Sequence, residues 1–497
     1  MTFKDEKIYR GMKKLVKKSF AILRSGFEYS EDFNIEVDLK NIPPISFLLD
    51  DKISRQIYSK IEEIEKTKEF AYTCDLVNKI STFQSDFKLK KLDDIHQFRN
   101  ELGLVPPAEV EPALSKQQFK WTDLPYFLIA YCNLRKDLEF DEAIFKGLYK
   151  RFEERLYGRT YIMALCPLKK FYLETNELVL DYGIKIRRIS QGELSIINKW
   201  MSGNILKKLD DIQFTIEYTY DENEFRMPED ADEWTQIAHQ AATASCEKKF
   251  IEIVALLRLF KDGDFHNPLE FFQVPFWDNA GQHIYYNVCD RWIPENRNYI
   301  LEREEAKDLT EYYRKSLRFT DDRKMFIALE RFNLAYEKKR FEDNIIDYVI
   351  AFEALFGTMQ NHIGMEIGLK SGFLVKDSKE EITEIYKFMQ DVYKLRSRIV
   401  HGDGIKIPMK IGEEDYYSDH RLKSAIIKIF REIISSFFDE ERIRDKKEIF
   451  AIIEEKLKSG EYKSKSGEEI IESILDEVER KRKLQGQSEH ESAGFLK

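Results

Sequence analysis

Apolar side chains recur at three- and four-residue steps through the stretch that ends at Gly402: Ile385, Phe388, Met389, Val392, Leu395, Ile399 and Val400. That spacing puts them on one face of an α-helix. Gly402, directly after it, is a natural stop, because glycine enters the left-handed backbone region without a steric penalty. The same patterning predicts helices from Ala328 and from Phe341, over Ser54–Thr67 and Asp123–Glu139, and over Glu193–Trp200 and Trp234–Phe260. Ile8, Met12, Leu15 and Ile22 give the first 25 residues an apolar stripe of their own. The middle of the chain reads differently. Thr160–Leu165, Phe171–Glu174, Leu178–Ile189, Ile212–Tyr220 and Gln282–Val288 are short β-branched or aromatic runs separated by Asn, Gly and Asp, the signature of strands.

Proline marks the organisation. Eleven of the twelve prolines lie in the first 294 residues and only Pro408 follows, which fits an almost wholly helical carboxy-terminal half. Pro43-Pro44 and the group Pro106, Pro107 and Pro112 punctuate a helical amino-terminal region. The expected fold class is therefore α+β and multidomain, mostly α. It comprises a helical region over 1–155, a mixed α/β domain over 156–300, a helical bundle over 301–440, and a polar helical extension with a disordered tail over 441–497. The tail is the stretch Lys483–Gly494.

Composition narrows the function classes. At 43% apolar and with 36 Phe and 25 Tyr, the chain is too rich in core-forming residues to be disordered. Cys74, Cys132, Cys166, Cys246 and Cys289 stand far apart without a Cys-x-x-Cys pair, so they read as core thiols in a reducing compartment. No apolar leader follows Met1, and the most apolar run, Phe250–Phe260, is too short and too charged to span a bilayer. A cytoplasmic protein without a membrane partner is expected. The net charge of −10 argues against a surface coated for non-specific nucleic-acid binding but leaves room for local basic patches. One such patch is the amino-terminal helix, where Lys4, Lys7, Arg10, Lys13, Lys14, Lys17, Lys18 and Arg24 face only Asp5 and Glu6. It reads as an ordinary surface helix, or as one that touches RNA or a membrane surface.

Chemistry concentrates where the Gly402 helix ends. Arg396, Ser397, Arg398 and His401 fall within one and a half turns. Ser397 and His401 share a face, as do Arg398 and His401, while Arg396 lies about 140° from His401 around the axis. A titratable imidazole beside guanidinium groups is an acid/base and phosphate-binding set, or else a solvated helix end. Elsewhere the sequence holds no phosphate loop, no His-Glu-x-x-His and no nucleophile elbow. Asp262-Gly-Asp-Phe-His266 reads as a capped loop rather than a metal site, and Glu413-Glu414-Asp415 as a solvated loop. Neither a metal nor a cofactor is expected.

Arg396 and His401, with four residues between them, match the Arg/His pattern of HEPN domains, the helical domains named for higher eukaryotes and prokaryotes nucleotide-binding. Leu395-Arg-Ser-Arg-Ile-Val-His-Gly402 resembles the Apea-like branch in particular. The context strengthens the likeness: Ala328-Leu-Glu-Arg-Phe332 and the helix Phe341–Gly357 precede it at the distance this branch shows. The resemblance covers roughly residues 310–440. More loosely, Leu178–Leu194 and Ala255–Asp264 resemble segments that precede this HEPN type.

The resemblance implies metal-independent RNA cleavage by a homodimer whose Arg/His helices face each other, with upstream regions that sense a trigger or restrain the nuclease, in antiviral defence or RNA-based stress control. His401 is then the acid or base, because histidine ordinarily titrates near pH 6.5. Arg396 and Arg398 bind phosphate oxygens through forked donors, Ser397 orients His401 or donates to the phosphate, and Glu353 on the preceding helix orients an arginine. Active members frequently carry Asn, Asp or His where this chain has Ser397. The alternative expectation is therefore a non-catalytic HEPN scaffold that dimerises and binds a partner protein or a nucleotide.

Overall fold

The computed structural model describes residues 4–24, 26–28, 51–77, 123–156, 161–200, 211–221, 234–275, 285–288, 298–319, 321–357, 362–403, 409–412, 414–416, 418–460 and 465–494, with 44 and 48 besides. Pro106, Pro107, Pro112, Cys289 and Glu413 lie outside them. In chain order the elements are α1 (Glu6–Leu23), α2 (Asp51–Glu65), α3 (Asp123–Arg135), α4 (Glu142–Leu156), β1 (Tyr161–Leu168), β2 (Phe171–Leu173), β3 (Glu177–Asp181), β4 (Ile184–Arg188), α5 (Gln191–Trp200), β5 (Phe214–Asp221), α6 (Trp234–Phe260), β6 (Leu269–Pro275), β7 (Tyr285–Val288) and β8 (Tyr299–Leu301). There follow α7 (Arg303–Ser316), α8 (Arg323–Glu337), α9 (Phe341–Phe356), α10 (Ile363–Val375), α11 (Lys379–Val400), β9 (Met409–Ile411), β10 (Glu414–Tyr416), α12 (Asp419–Phe437), α13 (Glu440–Ser459) and α14 (Gly467–Gly494). The chain is mostly α with a smaller β portion. It sorts into two compact units: Met1–Lys169 with Asn176–Lys248 and Asn267–Cys289, and Lys170–Thr175 with Lys249–His266 and Asp290–Lys497. These units cut across the contiguous segments expected from the sequence.

In the first unit, Asp5 caps α1 by accepting from the backbone N–H groups of Lys7 and Ile8 at 2.8 and 3.0 Å. Ile8, Met12, Leu15, Val16, Phe20 and Leu23 follow on one face and are buried with Phe127, Tyr131, Phe145 and Phe152 from α3 and α4. Tyr9 packs edge-on against Tyr149 with centroids 5.1 Å apart. Glu153 of α4 fixes the chain just before α1, accepting from the N–H groups of Lys4 and Asp5 at 2.9 and 3.2 Å.

The sheet of this unit runs β3-β4-β5-β1-β6-β7 with every neighbour antiparallel. The run Leu178–Ile189 is two strands rather than one, turned at Tyr182-Gly183. Central β1 is buried almost throughout. Charge on β4 is met on the spot: half-buried Arg187 donates to buried Glu193 at 2.7 and 3.0 Å and also pairs with buried Glu217 on β5. That pairing holds the Glu193 carboxyl below its ordinary range despite the burial that opposes ionisation.

In the second unit β2 and β8 pair in parallel, and the helices from α7 onward build a bundle with residues 249–260 of α6. Phe332 of α8 stacks on Phe430 of α12, with centroids 4.9 Å apart and planes 5° off parallel, and Phe352 of α9 meets Phe430 edge-on at 5.2 Å. The approach of α10 to α11 depends on glycine. A Cβ at Gly364 would sit 2.7 Å from the Tyr393 ring, and one at Gly372 would sit 2.8 Å from the Ile382 carbonyl oxygen.

Two expectations are corrected here. The helices expected over 441–482 are present as α13 and α14, but they are not solvated throughout, and residues 483–494 continue the last of them. Ile449, Ile452, Ile453 and Leu457 of α13 and Ile470, Ile471, Ile474 and Val478 of α14 are buried with Leu369, Phe373, Ile382 and Tyr386, and α14 continues as helix to Gly494. Glu414 and Asp415 lie in β10, paired with β9, rather than in a loop.

Candidate functional site

The Arg/His segment is the last turn and a half of α11. Ser378 caps the other end of this helix, accepting from the Glu381 N–H at 3.3 Å. Ile382, Tyr386, Phe388, Met389, Val392 and Leu395 form its buried face. Val400, at the end of the apolar stripe, is instead 54% exposed. The helix closes in a Schellman motif: the Asp403 N–H donates to the Arg398 carbonyl at 2.9 Å, and the Gly402 N–H donates to that of Ile399 at 3.0 Å. Gly402 has φ +92°, the left-handed conformation that glycine adopts freely. His401 is thereby fixed as the C-cap, its own N–H donating to the Ser397 carbonyl at 3.1 Å.

The side chains differ in setting. Arg396 is half-buried, and its Nε lies buried without a hydrogen-bond partner. Glu353 stands near it on α9. Burial raises the Glu353 carboxyl above its ordinary pKa, and the positive charge of Arg396 works against that rise. The two form no salt bridge, so Arg396 acts on Glu353 through space. Ser397 is half-buried, while Arg398 and His401 are exposed. No hydrogen bond joins the Ser397 hydroxyl to the His401 ring, and among the described residues neither Arg398 nor His401 has an acidic partner. Arg396 and Glu353 are thus brought together. Arg398, Ser397 and His401 share an open helix end.

The chain leaving Gly402 returns against α11 further back, where Asp391 accepts from the Gly412 N–H at 3.0 Å and Phe388 packs on Tyr416. Glu414 and Asp415 remain exposed on this hairpin. Among the described residues no cluster of His, Cys, Asp and Glu has the arrangement of a metal site. Asp262 pairs with Arg431, and Asp264 accepts from the Tyr336 hydroxyl at 2.9 Å.

A second polar centre in this unit escaped the sequence reading. Arg258, wholly buried in α6, pairs with buried Glu337 at 2.7 Å and donates to Asn333 at 2.8 Å, with the Tyr336 ring 4.7 Å from its guanidinium carbon. Arg431 donates to the Arg258 and Lys261 carbonyls at 2.7 and 3.0 Å, satisfying the last turn of α6. Lys423 donates to the Tyr336 carbonyl at 3.1 Å. Burial, then the nearby Arg258 cation, lower its pKa from 10.5 to about 8, against the pull of Asp264 and Glu337. The signal was present in the sequence: a lone Arg inside Ala255-Leu-Leu-Arg-Leu-Phe260 has to find a buried partner.

The amino-terminal basic helix is α1, with Lys7, Arg10, Lys14, Lys17 and Lys18 exposed. Lys13 pairs with Glu142 and Arg24 with Glu139. Among the described residues no helix is long and apolar enough to cross a membrane. No protein-family model, curated protein or solved structure matches this chain.

Proposed function

We propose that the chain is a metal-independent endoribonuclease of the HEPN type, acting as a homodimer through the α11 helix end. The observation that carries this reading is the contrast within that end. Arg396 is half-buried near Glu353 with its Nε unpaired, while His401 is open to a substrate on a glycine-fixed cap. A half-buried guanidinium is a stronger phosphate ligand than a solvated one, because the surrounding dielectric is lower.

The chemistry follows from the groups. An imidazole removes the 2′-hydroxyl proton, the 2′-oxygen attacks phosphorus, and the bond to the 5′-oxygen breaks as a proton is delivered to it. The products are a 2′,3′-cyclic phosphate and a 5′-hydroxyl. Facing copies of His401 in a dimer would divide the base and acid roles, each contributing about 10²–10⁴ in rate. Arg396 and Arg398 would hold the non-bridging oxygens as charge builds, at about 10²–10³ per donor. The amino-terminal and middle regions would sense a trigger or restrain this site.

A second reading is favoured by exposed Val400 beside exposed Arg398 and His401: a helix end used for docking by a non-catalytic scaffold. RNA cleavage with EDTA present separates the two. The nuclease loses cleavage in Arg396→Ala and in His401→Ala while its association state is unchanged. The scaffold shows no cleavage and loses association in the same variants.

A further inference from the structure

The exposed face of α1 carries a run of cations that the proposed cleavage chemistry does not use. Lys7, Arg10, Lys14, Lys17 and Lys18 are all exposed. At about 100° and 1.5 Å per residue they fall within an arc of about 100° and along about 16 Å of helix. Among the described residues, Lys7, Lys14, Lys17 and Lys18 have no acidic partner. Arg10 meets Glu6 at 3.1 Å, but both are well exposed, and such a pair holds an arginine weakly. Lys17 lies over the Phe140 ring at 4.4 Å, which orients it without neutralising it. The opposite face of α1 is locked in the core through Met12, Leu15, Val16 and Phe20, and Glu153 grips the chain before it. The row of cations is therefore held in place before any ligand arrives.

We infer that this face of α1 binds the phosphate backbone of a nucleic acid, without regard to sequence. Three features select that ligand. Amphipathic helices that lie on a membrane bury their apolar face in lipid, and here that face is committed to the protein core. A protein partner would meet an apolar centre with a polar rim, and this arc holds five cations and exposed Ala21. A line of cations at steps of three and four residues suits a uniform polyanion. The arc offers no exposed aromatic ring on which a base could stack, so backbone contacts alone define the mode.

The test measures binding and does not rest on the proposed cleavage, since it uses the full chain carrying His401→Ala so that RNA stays intact. Anisotropy of a short labelled RNA duplex is followed from about 50 to 200 mM salt. Replacing Lys7, Arg10, Lys14, Lys17 and Lys18 by Gln should weaken binding about tenfold or more and flatten the log–log salt slope by about three to four. Arginine at the four lysine positions should retain binding, which separates lost charge from a damaged helix. Gln at exposed Lys307, Lys324, Lys339, Arg444 and Lys447 should leave affinity within about twofold. Unchanged binding in the α1 variant, an equal loss in the second set, or a parent chain that binds phosphatidylserine vesicles but not RNA would each overturn the inference.

Discussion

Replacing Gly402 probes the device that presents His401. Its φ of +92° costs an L-residue about 1–2 kcal/mol, less for Asn and more for a β-branched side chain. A Cβ there would meet nothing within 4 Å, so the cost is one of backbone conformation without steric collision. The alternative is to abandon the turn. That would forfeit the Asp403-to-Arg398 and Gly402-to-Ile399 hydrogen bonds, each worth about 0.5–1.5 kcal/mol net. Keeping the turn under strain is the cheaper course for Ala. Gly402→Ala should thus destabilise the helix end by about 1–2 kcal/mol, lowering amide-exchange protection of Gly402 and Asp403 by about 5–30-fold. Gly402→Asn should lose less and Gly402→Val more, and RNA cleavage should fall in the same order. Equal protection in the Asn and Val variants would refute the argument, because only backbone strain ranks them.

Four further outcomes are expected. Glu337→Ala leaves Arg258 buried without its partner and should cost about 3–5 kcal/mol in urea unfolding; a loss under about 1 kcal/mol would mean that the pair is not desolvated. Ile471→Ala removes a wholly buried side chain and should cost about 2–5 kcal/mol. By the same logic, a chain ending at 440 uncovers Leu369 and Phe373 and should bind a hydrophobic dye such as ANS, whereas a compact, dye-free fragment would contradict the packing of α13 and α14. Lys423, with its pKa lowered to about 8 by burial and by Arg258, binds fewer protons folded than unfolded between there and 10.5. The parent chain should therefore gain stability relative to Lys423→Met as pH rises through that window, and parallel melting curves would count against it.

Periodicity made the helices legible wherever apolar spacing and a terminator agreed, as at Val392, Leu395 and Gly402. It failed in two instructive places. Ile470, Ile471, Ile474 and Val478 have helical spacing, but they stand among so many charges that composition suggested a solvated extension; four well-placed apolar residues suffice when a neighbouring helix covers them. Strand β6, Leu269–Pro275, shows no alternation because it lies inside the sheet and packs on both faces, so its pattern does not distinguish it from a loop beginning at Asn267-Pro268. At the site, sequence spacing gives which of Arg396, Ser397, Arg398 and His401 share a helix face. It cannot give their solvation, and that difference between Arg396 and His401 arises from α9 packing beside α11. The Arg258 network was visible only as an anomaly, since partners 75 to 173 residues away meet through the fold.

The most direct measurement is end-group analysis of RNA incubated with the purified full chain in EDTA, comparing the parent with His401→Ala. The parent should yield 2′,3′-cyclic phosphate ends and the variant none. The same ends at the same rate from His401→Ala would contradict that, because the proton transfers would then belong to some other group.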